Sequence, residues 1–227
     1  MKFFCLMIPA TGVLLGALWG GVLAPLLTLW EASPPLRGVI MTMCTLALTG
    51  GLHMDGLMDT CDALFSRQDR ETRLRILSDT HTGAFAVISC VLALLLQSAV
   101  FGELLTPPLS LRRALLLSSV PVWSRLGMGI MLNSMPFARQ DGLARTVGGM
   151  REGRHTVYFI AGAALLATGN FFSGGVRGLW LFAVALSIYT VWRRTCLNTF
   201  GGLTGDLLGA FNVMTETALL LVLREVS

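Results

Sequence analysis

Apolar runs recur so densely along this chain that water cannot be its main solvent. Seven stretches, at about 4–30, 36–52, 83–102, 113–133, 156–172, 176–192 and 206–223, are long and apolar enough, or nearly so, to cross a bilayer; a helical crossing takes about 20 apolar residues. Only 13% of the residues are charged, against 54% hydrophobic, whereas soluble domains carry roughly a quarter charged residues. The expected fold is all-α, a polytopic integral membrane helical bundle with about seven transmembrane helices. The count falls to six if the fifth and sixth stretches are re-entrant, and the range is six to eight. Met1-Lys2 and the apolar run behind them imitate a signal peptide, but that run continues to Trp30, too far for a signal sequence. The whole of 1–227 is expected to be a single transmembrane catalytic domain.

Arginine placement orients the bundle. With the N-terminus inside, eleven basic residues (Lys2, Arg67, Arg70, Arg73, Arg75, Arg139, Arg145, Arg151, Arg154, Arg193, Arg194) lie on the cytoplasmic side, against five outside (Arg37, Arg112, Arg113, Arg177, Arg224), as the positive-inside rule requires. The same placement puts the three polar loops, 53–82, 134–155 and 193–206, on one face. The net charge of +4 does not indicate nucleic acid, because no basic stripe with interleaved aromatics is present. The five cysteines form no CxxC pair, which reads as apolar packing rather than zinc. Between Ser66 and Thr80, Leu74, Ile76 and Leu77 alternate with Arg70, Glu71, Arg73 and Arg75, suiting a short helix on the membrane surface.

The chemistry concentrates in Gly50-Gly51-Leu52-His53-Met54-Asp55-Gly56-Leu57-Met58-Asp59-Thr60-Cys61-Asp62. Asp55, Asp59 and Asp62 stand at i, i+4, i+7, which on a helix shares one face. Three acids at a membrane edge are costly and mark function. Oxygen-only ligands suit a hard cation, Mg²⁺ or Mn²⁺. Gly50, Gly51 and Gly56 allow close backbone approach. Asp79 closes the same loop. Asp206 ends the glycine-rich turn Gly201-Gly202-Leu203-Thr204-Gly205-Asp206, either as a helix N-cap or beside a bound phosphate. Glu216, with Asn212 one turn earlier, and Arg125 fall mid-span, so they bind a ligand phosphate or pair with one another. The arginines from Arg139 through Arg145 to Arg154 suit phosphate, although the topology signal alone explains them. His53 and His81 flank the acids as candidates for proton transfer or phosphate contact.

These residues resemble the signature of the cobalamin synthase (adenosylcobinamide-GDP ribazoletransferase) family. Gly50-Gly51-Leu52-His53-Met54-Asp55-Gly56-x-x-Asp59-Thr60-x-Asp62 is followed in order by Ile76-Leu77-x-Asp79-x-His81-x-Gly83-Ala84-Phe85, Ser124-Arg125, Gly142-Leu143 and Gly201-Gly202-x-Thr204-Gly205-Asp206-x-x-Gly209-Ala210. The resemblance covers nearly the whole chain. It implies a Mg²⁺-dependent phosphotransferase in the cytoplasmic (inner) membrane of a bacterium or archaeon, multi-pass, with its active site facing the cytoplasm. Such an enzyme joins α-ribazole, or its 5′-phosphate, to adenosylcobinamide-GDP and releases GMP. The implied metal ligands are Asp55, Asp59, Asp62 and Asp206, with Asp62 or Asp79 as base. The substrate-binding set is His53, His81, Arg125, Arg145, Thr204, Asn212 and Glu216. The expected partners are the two substrates and the lipid bilayer, with no nucleic acid; a homo-oligomer and contacts with other cobalamin-pathway enzymes are compatible with the sequence. The chain departs from the family in having fewer residues before Ile8-Pro9-Ala10-Thr11-Gly12, in carrying His81 where some members have Arg, and in having Val213 where an acid is common.

Two other readings share some of these features. A CDP-alcohol phosphotransferase also gathers aspartates on membrane helices, but its motif has Ala-Arg where this chain has Asp59-Thr60. A divalent-ion or secondary transporter also explains intramembrane acids, but it would place them at the midplane.

Overall fold

A computed structural model describes residues 4–139 and 153–226, with side chains described for 7–139 and 157–225. The described residues form helices joined by short loops, and the β-pairing among them is one isolated bridge between Phe137 and Leu203. Helix α1 (Phe4–Gly16) passes through a π-helical stretch, Ala17–Leu23, into α2 (Ala24–Leu29). Next come α3 (Pro34–Thr49), α4 (Leu52–Phe65), the short α5 (Arg70–Ile76), α6 (Ala84–Leu104) and α7 (Leu111–Ser134). Beyond the undescribed segment lie α8 (Gly153–Gly174), α9 (Leu179–Thr195) and α10 (Gly205–Val226).

Each of the seven apolar stretches is helical. Five helical stretches are long and apolar enough to cross a membrane, and α3 with α4 makes a sixth when the bent pair counts as one span. One of the five, Val157–Phe200, holds both α8 and α9. It is not one rod, because Gly178 lies directly against the carbonyl of Asn170. Residues eight apart in a straight helix would be about 12 Å distant. The chain therefore reverses at Gly175–Gly178, and Gly175 takes φ 62° there.

The second stretch departs from a straight span. Helix α3 ends at Thr49, and Gly50 (φ 61°) and Gly51 (φ 71°) are both left-handed, a region that costs residues with a Cβ. The chain leaves this pair as α4, bent 93° from α3. Two glycines thus turn the acidic motif across the end of the bundle.

With no hydrophobic drive between helices in lipid, small residues set the contacts. Gly12, Gly16 and Gly20, one turn apart, lay α1 and its π-helical continuation against the backbone of α7 at Pro121, Ser118 and Ala114. Gly38 does the same for α3 against Ser98 of α6, where Ser98 Oγ donates to Thr42 Oγ1 (3.1 Å). Helices α7 and α10 are mostly buried, while α6, α8 and α9 turn leucines and phenylalanines such as Leu92, Leu95, Leu165 and Phe172 outward, as lipid-facing helices do. One apolar core surrounds Trp19, Phe101, Leu117 and Leu219; a second surrounds Met54, Met131, Phe200 and Phe211, beneath the acidic motif.

Candidate active site

Contacts across the three polar loops gather them at one end of the bundle, as arginine placement had led us to expect. Asp62 of α4 reaches the start of α6, where its two oxygens accept from the Gly83 N–H (2.6 Å) and the Ala86 N–H (2.9 Å). Arg70 of α5 donates from Nε to the Phe200 carbonyl (2.8 Å), just before the glycine-rich turn. The segment after α7 is laced to that turn in both directions, Leu203 N–H to the Pro136 carbonyl (2.9 Å) and Ala138 N–H to the Leu203 carbonyl (3.0 Å).

The centre of the site is the crossing of α4 over the start of α10. Gly56 sits so close that a Cβ there would lie 2.7 Å from the Asp206 carbonyl and 3.2 Å from Gly209 Cα; a Cβ on Gly209 would lie 3.2 Å from His53. Only this paired absence of side chains lets the two acidic motifs meet. Asp59 falls within electrostatic range of Asp55, Asp206 and Asp62, and Asp206 also feels Asp55. Thr204 Oγ1 contacts Asp206 Oδ2 (3.4 Å) and accepts from the Leu207 N–H (3.3 Å), capping α10. The role of N-cap, which the sequence offered to Asp206, is thus filled by Thr204.

Deeper in the bundle, Arg125 and Glu216 are both buried and form an ion pair with each other. Ser124 Oγ accepts from Arg125 Nη1 (2.9 Å) and donates to Glu216 Oε1 (3.1 Å). Of the two readings that the sequence left open for these residues, the structure forms the pair. The Arg125 charge also reaches His53, so this pair underlies the crossing. Asn212 is buried nearby on α10, one turn before Glu216, and its Oδ1 has no hydrogen-bond partner among the described residues.

Two candidates stand apart. Asp79 and His81 remain in the exposed loop before α6, bonded to each other: Asp79 Oδ1 accepts from the His81 N–H (3.1 Å) and contacts His81 Nδ1 (2.6 Å). That bond holds the Asp79 carboxyl below its ordinary range and raises the His81 imidazole above its own. Arg145 lies outside the described residues.

The acids brought together at the crossing offer oxygen ligands, which fit a hard ion. Among the described residues no three His, Cys, Asp or Glu side chains converge as a ready-made ion cage. A Mg²⁺ ion held here would take one or two of these carboxylates and keep its remaining positions for water or phosphate oxygens.

One neighbour of the cluster comes from the loop whose arginines, taken together, the sequence offered to phosphate. Arg139, placed by the Pro136–Ala138 lacing, acts electrostatically on Asp206, and its Nη2 is buried without a hydrogen-bond partner among the described residues. No local pattern singles it out from the other arginines of that loop, because its position depends on a bridge between segments 66 residues apart in sequence (Phe137 to Leu203).

Comparison with known proteins agrees with the family that the sequence motifs resemble. The family model described as cobalamin-5-phosphate synthase matches residues 1–224. A Citrobacter koseri protein named adenosylcobinamide-GDP ribazoletransferase is 33% identical over 218 residues, which is 95% of this chain and 85% of that protein. A Clostridium botulinum protein of the same name is 34% identical over 186 residues, covering 82% of this chain and 72% of its own length. No solved structure matches the chain.

Proposed function

Because the chain belongs to the cobalamin-5-phosphate synthase family, we propose that its aspartate end joins adenosylcobinamide-GDP to α-ribazole, or to α-ribazole 5′-phosphate, with release of GMP. The observation that carries this reading to a place in the molecule is the crossing of α4 over α10. There Gly56 and Gly209 bring Asp55 and Asp59 against Asp206.

In this reaction a hydroxyl oxygen of the ribazole forms a bond to the phosphorus that carries the cobinamide. The bond from that phosphorus to the bridging oxygen breaks, and GMP leaves with that oxygen. The hydroxyl proton passes to a carboxylate. We assign this acceptor role to Asp59, which has no hydrogen bond among the described residues, in preference to Asp62 and Asp79. Both oxygens of Asp62 already receive backbone N–H groups, and Asp79 is engaged by His81. Asp55 and Asp206 would hold Mg²⁺, with Asp62 fixing the far end of α4 against α6. Bound there, the ion would supply neutralisation of the charge that develops on the phosphate oxygens. Thr204 orients Asp206 through the cap of α10, and Asn212 offers a buried acceptor toward the substrate. His53, backed by the Arg125–Glu216 pair, forms the floor.

The whole chain acts as one transmembrane catalytic domain in the cytoplasmic membrane, with this end toward the cytoplasm. The excess of arginines on that side supports the orientation. The test is an assay of purified protein in detergent with adenosylcobinamide-GDP and α-ribazole. GMP should appear with Mg²⁺, stop on addition of EDTA, and be absent from a folded Asp55→Asn variant. Undiminished turnover in Asp55→Asn would sink the assignment.

A further inference from the structure

We infer that Arg70 and Arg139 form a clamp for a diphosphate over the Gly201–Asp206 turn. The inference rests on the reading of this end as the reaction site and adds to it the groups that hold the nucleotide's charged bridge. Arg70 arrives from one side, on the short helix α5. Its Nε is fixed on the Phe200 carbonyl (2.8 Å), and its guanidinium lies so close over Gly201 that any Cβ there would overlap it. The two terminal nitrogens of that fork have no hydrogen bond among the described residues. Arg139 arrives from the other side, held by the two-way lacing of Pro136–Ala138 to Leu203. Gly202 makes that lacing possible, since a Cβ there would lie 2.7 Å from three backbone atoms of Pro136, Phe137 and Ala138.

A topology signal alone requires no fixed place for either guanidinium head; Arg70 is exposed, yet its head is pinned. Here one lies over a glycine, and the other has a buried nitrogen, Nη2, with nothing to donate to. A buried donor without a partner is costly, and the cost is relieved when a ligand supplies the acceptor. Planar forks suit phosphate oxygens, which they bind through paired charge-assisted bonds. Two such forks flank a single turn, and that turn ends at Asp206, which adjoins Asp55 and Asp59. The cations take diphosphate oxygens directly, and the carboxylates would hold a metal ion that neutralises the same charge. The division also accounts for α5, a seven-residue helix with no buried residue of its own. It delivers Arg70.

The experiment uses the full-length protein in detergent micelles and compares binding of GDP with binding of guanosine by titration calorimetry, in the presence of Mg²⁺. Wild-type protein should prefer GDP. Arg139→Gln should weaken GDP binding by roughly ten- to a hundredfold and leave guanosine binding unchanged, with Arg139→Lys recovering part of the loss. Arg70→Lys, which keeps the charge but not the fork, should weaken GDP binding less. In turnover, Arg139→Gln should raise KM for adenosylcobinamide-GDP with KM for α-ribazole unmoved. A gain in KM for both substrates alike would mark general disruption and overturn the clamp. So would wild-type GDP affinity in both Arg139→Gln and Arg70→Lys, and the proposed reaction would survive that result. Conversely, GDP binding that depends on these arginines, in a protein that releases no GMP from adenosylcobinamide-GDP, supports the clamp and defeats the reaction.

Discussion

At the end of the bundle away from Asp55, arginines are taken up by the protein's own acceptors. Arg37 donates from Nη1 to the Leu105 carbonyl (3.1 Å), Arg113 from Nη1 to the Thr106 carbonyl (3.1 Å), and Arg112 from Nη2 to the Gly174 carbonyl (3.3 Å). Arg224 pairs with Glu103 and with Glu225. Each of the three backbone bonds ties one helix end to another, and the carbonyls concerned are of the kind that helix C-termini leave over. At the aspartate end the pattern reverses. Asp55, Asp59 and Asp206 lie within electrostatic range of one another, and Arg139 Nη2 is buried without a partner among the described residues. At the first end the heads of Arg37, Arg112, Arg113 and Arg224 are engaged by the protein itself, although Arg113 Nε is also buried without a partner among the described residues. The other gathers acids that the described residues do not neutralise, a pattern that in a membrane protein points to a functional site.

Substitutions at the two kinds of group should therefore fail differently. The largest effect on activity is expected from Asp59→Asn. GMP release should fall by at least about a hundredfold, as when a preorganised charged group is lost from a reaction site. The melting temperature should not fall, since one of several crowded like charges has been removed. A destabilised Asp59→Asn would place that residue with the structural charges and break the comparison. Arg125→Met should show the opposite profile. Leaving Glu216 buried and unpaired costs about 3–5 kcal/mol, readable as a lower denaturation midpoint in detergent. Adding Glu216→Leu to that variant should restore most of the stability. If the double variant stays as unstable as the single one, the pair is not what holds α7 to α10.

Asp62 lies between the two classes and sharpens the distinction. Asp62→Ala leaves the Gly83 and Ala86 N–H groups at the start of α6 without their acceptor. The expected loss is about 1 kcal/mol, that of a helix cap. Hydrogen exchange should rise at Gly83 and Ala86 first. Unchanged exchange there would mean that Asp62 is free for chemistry after all.

Much of this was legible in the sequence, for identifiable reasons. Spacing put Asp55, Asp59 and Asp62 on one helical face, and α4 is a helix over all three. The apolar runs gave the spans, and the arginine count gave the end at which the loops gather. What spacing could not say is that the face divides. Asp55 and Asp59 turn to α10, while Asp62, nearly two turns on, turns to α6. Nor could it tell the glycines of the motif apart. Gly50 and Gly51 make the bend, and Gly56 alone makes the close contact with α10. The Arg70 and Arg139 placements were out of reach altogether, since each depends on a contact between segments far apart in sequence. Local pattern encodes elements and faces, and long-range lacing encodes the site.

The smallest effect tests whether the exposed loop before α6 belongs with the self-satisfied charges or with the waiting ones. His81 is bonded to Asp79, and that hydrogen bond, with the carboxylate's charge behind it, raises the imidazole above its ordinary value of 6.5. The sign follows from which forms are charged. A raised His81 contributes fully below the ordinary value, and its contribution disappears as pH climbs through the raised one. Asp79, held below its ordinary 3.8 mainly by the same bond, contributes above 3.8 and loses its contribution as pH falls through its lowered value. The pairing is therefore strongest between those limits, in mildly acidic solution, and weakens toward alkaline pH. An NMR titration of the His81 ring should give a midpoint above 6.5 in the wild-type protein, returning to the ordinary value in Asp79→Asn. A His81 that already titrates at the ordinary value in the wild-type protein would show the two side chains parted in solution. The loop would then join Asp55, Asp59 and Asp206 among the groups left open for a ligand.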